Sequence, residues 1–142
     1  MTDRILLVDD EAEFLEILTE RLETRGVEVS TASDAAQALK AVEESDFDAI
    51  VLDLRMPGMD GLEALQAFRK KCPETQVILL TGHATVEKGV EAMKSGAMDV
   101  VEKPADIQVL LEKIKAASAR KMVLVQKQDE ARIRKILEER GW

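Results

Sequence analysis

The sequence predicts a doubly wound α/β fold, in which a five-stranded parallel sheet carries helices on both faces. Five short aliphatic segments alternate strictly with five longer amphipathic segments, which is the pattern of consecutive βα units. Three of the aliphatic segments are almost continuous runs of Ile, Leu and Val, as expected for strands buried on both faces. The length of 142 residues fits one compact domain.

The first two strand–helix units lie at the N-terminal end. Residues 4–8, RILLV, predict a buried strand, and residues 11–25 repeat apolar side chains at helical spacing before a glycine. Residues 27–32, VEVSTA, alternate apolar and polar side chains and predict a more exposed strand. Ser33 or Asp34 would cap the second helix.

The remaining three units follow the same alternation. Their strands are expected at residues 49–52, 77–80 and 99–101, and their helices at about 61–70, 85–94 and 106–117. Each of these helical segments carries apolar residues at helical spacing, so each can cover one face of the sheet.

Composition narrows the class of protein. The formal net charge of −8 argues against direct nucleic-acid binding. A single cysteine, Cys72, excludes an internal disulfide and suits a reducing compartment. The sequence has no signal-peptide pattern and no apolar run of about 18 residues, so neither export nor a membrane partner is expected. The expected location is the cytoplasm.

Polar residues gather where the predicted strands end. Asp9 and Asp10 follow the first strand, Asp53 closes the third, Thr81 closes the fourth and Lys103 follows the fifth. Open parallel sheets bind ligands outside the carboxyl ends of their strands. If the strand order is 2-1-3-4-5, the first and third strands are neighbours and the three aspartates converge in one cleft.

Three converging carboxylates predict a magnesium site. They would repel one another and raise each other's pKa, and a divalent cation relieves that repulsion. All the ligands are hard oxygens without a nearby His or Cys, which favours Mg²⁺ over Zn²⁺. Such a site suits phosphoryl transfer to Asp53, a weak nucleophile that positioning and charge neutralisation can assist.

Each of these residues also has a purely structural interpretation. Asp9 or Asp10 could cap the first helix, and Asp53 could begin the turn that follows it. Thr81 could be an ordinary strand-end hydroxyl, and Lys103 a solvated loop charge. Their joint placement at the ends of four different strands favours a functional site.

Four segments resemble the receiver domains of two-component response regulators. They are ILLVDDE (5–11), IVLDLRMPGMDG (50–61), VILLTGHA (77–84) and SGAMDVVEKP (95–104). The resemblance covers about residues 3–117 and implies the flavodoxin-like strand order 2-1-3-4-5. It also implies a phosphorelay function, with a sensor histidine kinase or a phosphotransfer protein as partner, and no enzyme activity beyond aspartyl phosphorylation and dephosphorylation of the chain itself.

The resemblance also implies roles for the site residues. Asp53 would accept phosphate from a phosphohistidine, and Thr81 and Lys103 would contact the phosphoryl group after transfer. The implied Mg²⁺ ligands are Asp10, Asp53 and the backbone carbonyl of Arg55, with Asp9 acting through water. The family's usual cis Lys–Pro bond is expected at Lys103–Pro104, where it would aim the lysine side chain into the site.

Two further features concern the switch and the lifetime of the phosphoryl group. Val100 stands where these receivers usually carry Tyr or Phe. The family's switch couples a threonine that moves toward the phosphate with that aromatic ring, which turns inward, and the movement of the ring is not expected here. Arg55 and His83 lie two residues after Asp53 and Thr81, at positions that flank the route of attacking water in this family. His83 could equally be an exposed loop residue.

Three rival functions have specific sequence requirements. A Mg²⁺-dependent phosphohydrolase with an aspartyl nucleophile would need a second acid two residues after Asp53, where Arg55 stands. A flavin-binding module would need a Ser/Thr/Gly phosphate loop after the first strand, where the sequence reads DDEAE. A receiver that no longer takes phosphate is opposed by the complete set of site residues.

The C-terminal segment extends past the resemblance. We expect a receiver domain over residues 1–118 and a helical extension or linker over 119–142. The extension holds seven basic and four acidic residues, a net charge of +3 against −11 for the rest. Ile133, Ile136 and Leu137 predict a short apolar face on a helix that could continue the fifth. Self-association through this helix is one hypothesis, and a solvated extension is the alternative.

Overall fold

The sheet has the predicted topology. The computed structural model describes residues 2–56, 59–82 and 86–141, without the side chains of Met56 and Met59. The parallel strands are β1 Arg4–Val8, β2 Glu28–Ala32, β3 Ala49–Asp53, β4 Gln76–Thr81 and β5 Asp99–Glu102. Their order across the sheet is β2-β1-β3-β4-β5. The expected order 2-1-3-4-5 is therefore confirmed.

Helices cover both faces of the sheet. They are α1 Ala12–Thr24, α2 Ala35–Glu44, α3 Gly61–Lys71, α4 Val86–Lys94 and α5 Ile107–Glu139. Helices α1 and α5 pack on one face, and α2, α3 and α4 pack on the other. The alternation of side chains along a strand supplies both layers: Ile5 and Leu7 join the first core, and Leu6 and Val8 the second.

The exposed strand of the sequence analysis is an edge strand. β2 pairs only with β1 in the described sheet, and three of its five residues, Glu28, Ser30 and Thr31, are exposed. The strands β3 and β4 lie inside the sheet and are buried throughout. Their continuous aliphatic sequences follow from burial on both faces.

Aspartates begin three of the helices. Asp34 caps α2 by accepting a hydrogen bond from the Gln37 N–H at 2.8 Å. Asp60 and Asp106 do the same for α3 and α5. Glu11 is the N-cap residue of α1 and makes no side-chain capping bond, so neither Asp9 nor Asp10 is the cap of that helix.

A short antiparallel ladder follows β3 that the sequence analysis did not predict. Residues Arg55–Met56 pair with Met59–Asp60 and lead directly into α3. The turn that Asp53 could begin would run through Pro57 and Gly58, which lie outside the described residues.

Helix α5 runs through the expected boundary at residue 118 without a break, so the continuity considered from the sequence is confirmed. Lys121 is only 8% exposed, and its Nζ donates to Asp46 Oδ1 at 2.6 Å and to the Phe47 carbonyl at 2.5 Å. About two helical turns further along α5, Gln128 donates to Glu74. The first part of the extension therefore packs against the loops that precede β3 and β4, at the amino-terminal ends of these strands.

The residues described contain no helix with the length and hydropathy that a membrane span requires.

Candidate functional site

The predicted convergence of three aspartates is observed. Asp9 follows β1 directly, and Asp53 is the last residue of β3, the strand beside β1. One carboxylate oxygen from each of Asp9, Asp10 and Asp53 lies within 4.8 Å of the other two. Asp9 and Asp53 are 0% and 4% exposed, and Asp10 faces the solvent. The cleft therefore has two buried carboxylates and one at its mouth.

The two buried carboxylates are held in the same way. Asp9 Oδ1 accepts from the Glu11 N–H at 2.9 Å, and Asp53 Oδ1 accepts from the Arg55 N–H at 3.1 Å. Each acid thus uses one oxygen to order the backbone two residues ahead. This turn-forming role was the structural alternative for Asp53, and it coexists with a functional one because the second oxygen, Oδ2, faces the cleft.

Lys103 lies between these second oxygens. Its Nζ is 2.6 Å from Asp9 Oδ2 and 3.4 Å from Asp53 Oδ2, and its side chain is 14% exposed. The Lys103 N–H donates to the Thr81 carbonyl at 2.8 Å, which anchors the residue to the end of β4. The Lys103–Pro104 bond is cis, as expected from the resemblance. The solvated-charge alternative for Lys103 is therefore wrong.

Burial and charge act in opposite directions on the site. Burial raises the pKa of Asp53, and the Arg55 N–H opposes that rise, while the Asp9 charge adds to it and Lys103 lowers it. Burial tends to lower the pKa of Lys103, but the hydrogen bond to Asp9 and the charges of Asp53, Asp9 and Glu11 outweigh it and the net shift is upward. The ammonium therefore stays charged as a counter-ion for the two acids.

The donor set fits a hard divalent cation. Three carboxylates lie close together, and Asp53 is costly to keep charged because it is buried. Oxygen ligands with solvent access on one side, here through Asp10, suit a Mg²⁺ ion that retains water molecules. The residues that could hold such an ion are the three aspartates.

The other predicted residues have distinct positions. Thr81 is 1% exposed and is the last residue of β4, as expected. The Arg55 side chain is exposed beside the cleft. Val100 is partly buried and packs against the core on the α3 side of the sheet. His83 lies outside the described residues.

Two residues near the site were missed by the sequence analysis. Phe14 places its ring under the Lys103 ammonium, with Nζ 4.4 Å from the ring centroid. Gly61 lies so close to the loop after β3 that a Cβ there would be 2.7 Å from the Leu54 carbonyl oxygen. Phe14 was visible only as one apolar residue of the α1 stripe, and Gly61 only as a glycine after an acid.

Comparison with known proteins decides the family. The sequence profile of the response regulator receiver domain matches residues 5–115. The chain belongs to this family. It is thus a receiver domain of phosphorelay signalling, not the phosphohydrolase considered from the sequence, and it is not a classical enzyme.

Individual relatives agree with this assignment. The C4-dicarboxylate transport transcriptional regulatory protein DctD of Pseudomonas aeruginosa is 37% identical over 123 residues, which are 85% of this chain and 26% of DctD. The receiver domain protein of Clostridium thermocellum has a solved structure that is 35% identical, with a TM-score of 0.81, covering 86% of this chain and 98% of that one. The chain thus spans about a quarter of the length of the curated relative.

A third comparison extends beyond the receiver pattern. A solved structure described as adenylate cyclase from Rhodopirellula baltica is 30% identical, with a TM-score of 0.86, and covers 93% of this chain and 98% of that one. A match over 93% of the chain continues past residue 118 into the C-terminal part of α5.

Proposed function

We propose that Asp53 is the phosphoacceptor of this receiver domain and that Mg²⁺ is required for its phosphorylation. The proposal rests on one observation: a buried carboxylate at the end of β3 lies close to two further carboxylates and to one lysine ammonium. Membership of the family implies a histidine kinase or a phosphotransfer protein as the donor.

Each residue has a task in this proposal. A carboxylate oxygen of Asp53 bonds to phosphorus while the P–N bond of the donor phosphohistidine breaks, and the electron pair returns to the imidazole. Lys103 would pair with a phosphoryl oxygen, and its Nζ, 3.4 Å from Asp53 Oδ2, supports this role. Thr81 offers a hydroxyl at the end of the neighbouring strand β4.

The proposed metal ligands are Asp10, Asp53 and the backbone carbonyl of Arg55, with Asp9 acting through water. Asp9 is fully buried and pairs with Lys103 at 2.6 Å, which supports an indirect role for it. When bound, Mg²⁺ would neutralise charge on the phosphoryl oxygens. Asp10 is exposed at the mouth of the cleft and is accessible to an arriving ion.

The test is phosphorylation of the full chain by a small acyl phosphate, followed by intact-mass measurement. One added phosphoryl group is expected with Mg²⁺, and none after chelation of the metal. Asp53→Asn should abolish the added mass, whereas Asp60→Asn, in the same loop and still able to cap α3, should retain it. Hydroxylamine should remove the group, because an aspartyl phosphate is an acyl phosphate. Wild-type protein that gains no mass would overturn the proposal.

The chain's output is proposed to be protein contact after a conformational change, because the net charge of −8 disfavours direct nucleic-acid binding. Residues 119–142 are proposed to form a helical extension of the receiver domain that mediates self-association. Ile133, Ile136 and Leu137 are 57%, 42% and 38% exposed, which leaves an apolar face available to a second copy.

A further inference from the structure

We propose that Phe14 is a positioning residue whose ring holds the Lys103 ammonium between Asp9 and Asp53. The ring centroid lies 4.4 Å from Nζ, well inside the range of about 6 Å in which an aromatic face attracts a cation. The Phe14 side chain has no charged or hydrogen-bonding group of its own, so it would act only through the lysine.

The ammonium has more than one place to go. Besides Asp9 and Asp53, Nζ lies 3.5 Å from Glu11 Oε1, and the Glu11 side chain is 65% exposed. Lysine has a flexible stem and a strongly hydrated charge. Without a restraint on the open side, Nζ could move toward Glu11 and water.

The Phe14 ring supplies that restraint. It is half-buried on α1, one turn after Glu11, and packs against the α1–α5 core. The carboxylates of Asp9, Glu11 and Asp53 and the face of the Phe14 ring therefore surround Nζ. Of these four groups, only the ring attracts the ammonium without adding a negative charge that would compete with Asp53 for it. A lysine fixed in this way requires little reorganisation when a phosphoryl group arrives.

The alternative is that Phe14 is only an apolar cover for the site. The two explanations differ for Phe14→Leu, because leucine keeps an apolar side chain on α1 but has no negative ring face. They also differ for Phe14→Tyr, which keeps the ring face and adds a hydroxyl at its edge.

The kinetic test rests on the proposed phosphorylation of Asp53. Phe14→Leu should slow transfer from a small acyl phosphate about fivefold, which corresponds to about 1 kcal/mol at 1.36 kcal/mol per tenfold, and Phe14→Tyr should restore most of the wild-type rate. Phe47→Leu is the matched control, because Phe47 also lies near a cation, with Arg4 Cζ 6.0 Å from its ring centroid. Phe47 precedes β3 and thus lies at the end of the strands opposite to the site. This control variant should lower stability without changing the rate in folded protein.

A second measurement does not depend on phosphorylation. The methylene protons beside Lys103 Nζ should show an upfield ring-current shift in NMR spectra of the wild type and of Phe14→Tyr. The shift should be lost in Phe14→Leu, and Lys103→Arg assigns the signal.

The outcomes separate the two proposals. If Phe14→Leu is as fast as wild type, or if Phe14→Tyr is as slow as Phe14→Leu, the positioning role is wrong. An unshifted lysine signal in the wild type would also overturn it. If the wild type accepts no phosphate while the ring-current shift is present, the proposed function fails and the Phe14–Lys103 contact stands.

Discussion

A methyl group on Gly61 would lie 2.7 Å from the carbonyl oxygen of Leu54 and 2.8 Å from its Cα. Leu54 follows Asp53 directly, and its N–H donates to the Leu80 carbonyl at 2.9 Å. The first residue of α3 therefore rests on the backbone that carries the proposed phosphoacceptor. A side chain at position 61 must displace this backbone, because neither neighbouring atom belongs to a flexible side-chain end.

Gly61→Ala should therefore weaken both the fold and the metal site. We expect a loss of about 1–3 kcal/mol in the free energy of unfolding and weaker Mg²⁺ binding, because the shifted segment includes the Arg55 carbonyl. Urea denaturation and calorimetric Mg²⁺ titration measure the two effects. Gly89→Ala is the control: nothing lies within 4 Å of its added carbon on α4, so it should stabilise by about 0.5–1 kcal/mol. Equal behaviour of the two variants would contradict this interpretation.

Lys103→Met should leave the fully buried Asp9 without its counter-ion. Removing one partner of a buried pair typically costs about 3–5 kcal/mol. Mg²⁺ should then raise the melting temperature of the variant more than that of the wild type, because the metal replaces the missing positive charge.

Lys113→Met is the control for this prediction. Lys113 pairs with Asp99 at 2.5 Å, but the two side chains are 36% and 33% exposed, so the cost should stay below about 1 kcal/mol. Thermal scans with and without Mg²⁺ compare the two variants. A Mg²⁺ effect that is no larger in Lys103→Met than in the wild type would argue against a shared site.

Lys121→Met should loosen the C-terminal half of α5. Methionine keeps the apolar stem but removes the donor to Asp46 and to the Phe47 carbonyl. The cost should be about 1 kcal/mol, because the Phe47 carbonyl keeps its 2.9 Å bond from Thr75 Oγ1 and Asp46 is largely exposed to water. Amide exchange after residue 121 should accelerate, whereas the exposed substitution Lys127→Met should leave it unchanged. Unchanged amide exchange in Lys121→Met would show that the Lys121 hydrogen bonds do not hold the C-terminal half of α5 in place.

Replacing Ile133 and Ile136 together by Gln should lower the sedimentation-average mass at high concentration if the extension self-associates. Ile and Gln are both uncharged, so the net charge of the extension stays the same and the substitutions test its apolar face alone. Val90→Gln is the control, since Val90 is 48% exposed on α4, away from the extension. A loss of assembly in the control but not in the double variant would place the interface elsewhere.

Much of the fold could be predicted from the sequence because its signals are local. The runs that became β3 and β4 are apolar throughout, and the sheet buries both of their faces. Where bounds were expected, the observed ones differ by at most one residue, apart from the end of α5 at Glu139. Helix starts are marked locally, by caps such as Asp34. The short ladder at Arg55–Met56 had no such signal, because two residues carry no periodicity.

The site was predictable to the level of which strand ends meet. Asp9, Asp10 and Asp53 were expected together, and the observed strand order brings them together. The contacts of Lys103 with Asp9 and Phe14 were not predictable in detail, because they depend on where the loop after β5 places a flexible side chain relative to α1. Nothing in the sequence distinguishes Lys121 from the other basic residues of the extension, and only the packing of α5 against the loop before β3 buries it.

The sequence by itself determined the alternation of strands and helices and the polar residues at the strand ends, because both depend on the order of neighbouring residues along the chain. Only the tertiary structure decided which side chains contact Lys103, why a side chain at position 61 would collide with the Leu54 backbone, and where hydrogen bonds from Lys121 hold the last helix against the loop before β3. These depend on distances between residues far apart in sequence, and only packing of the folded chain sets those distances.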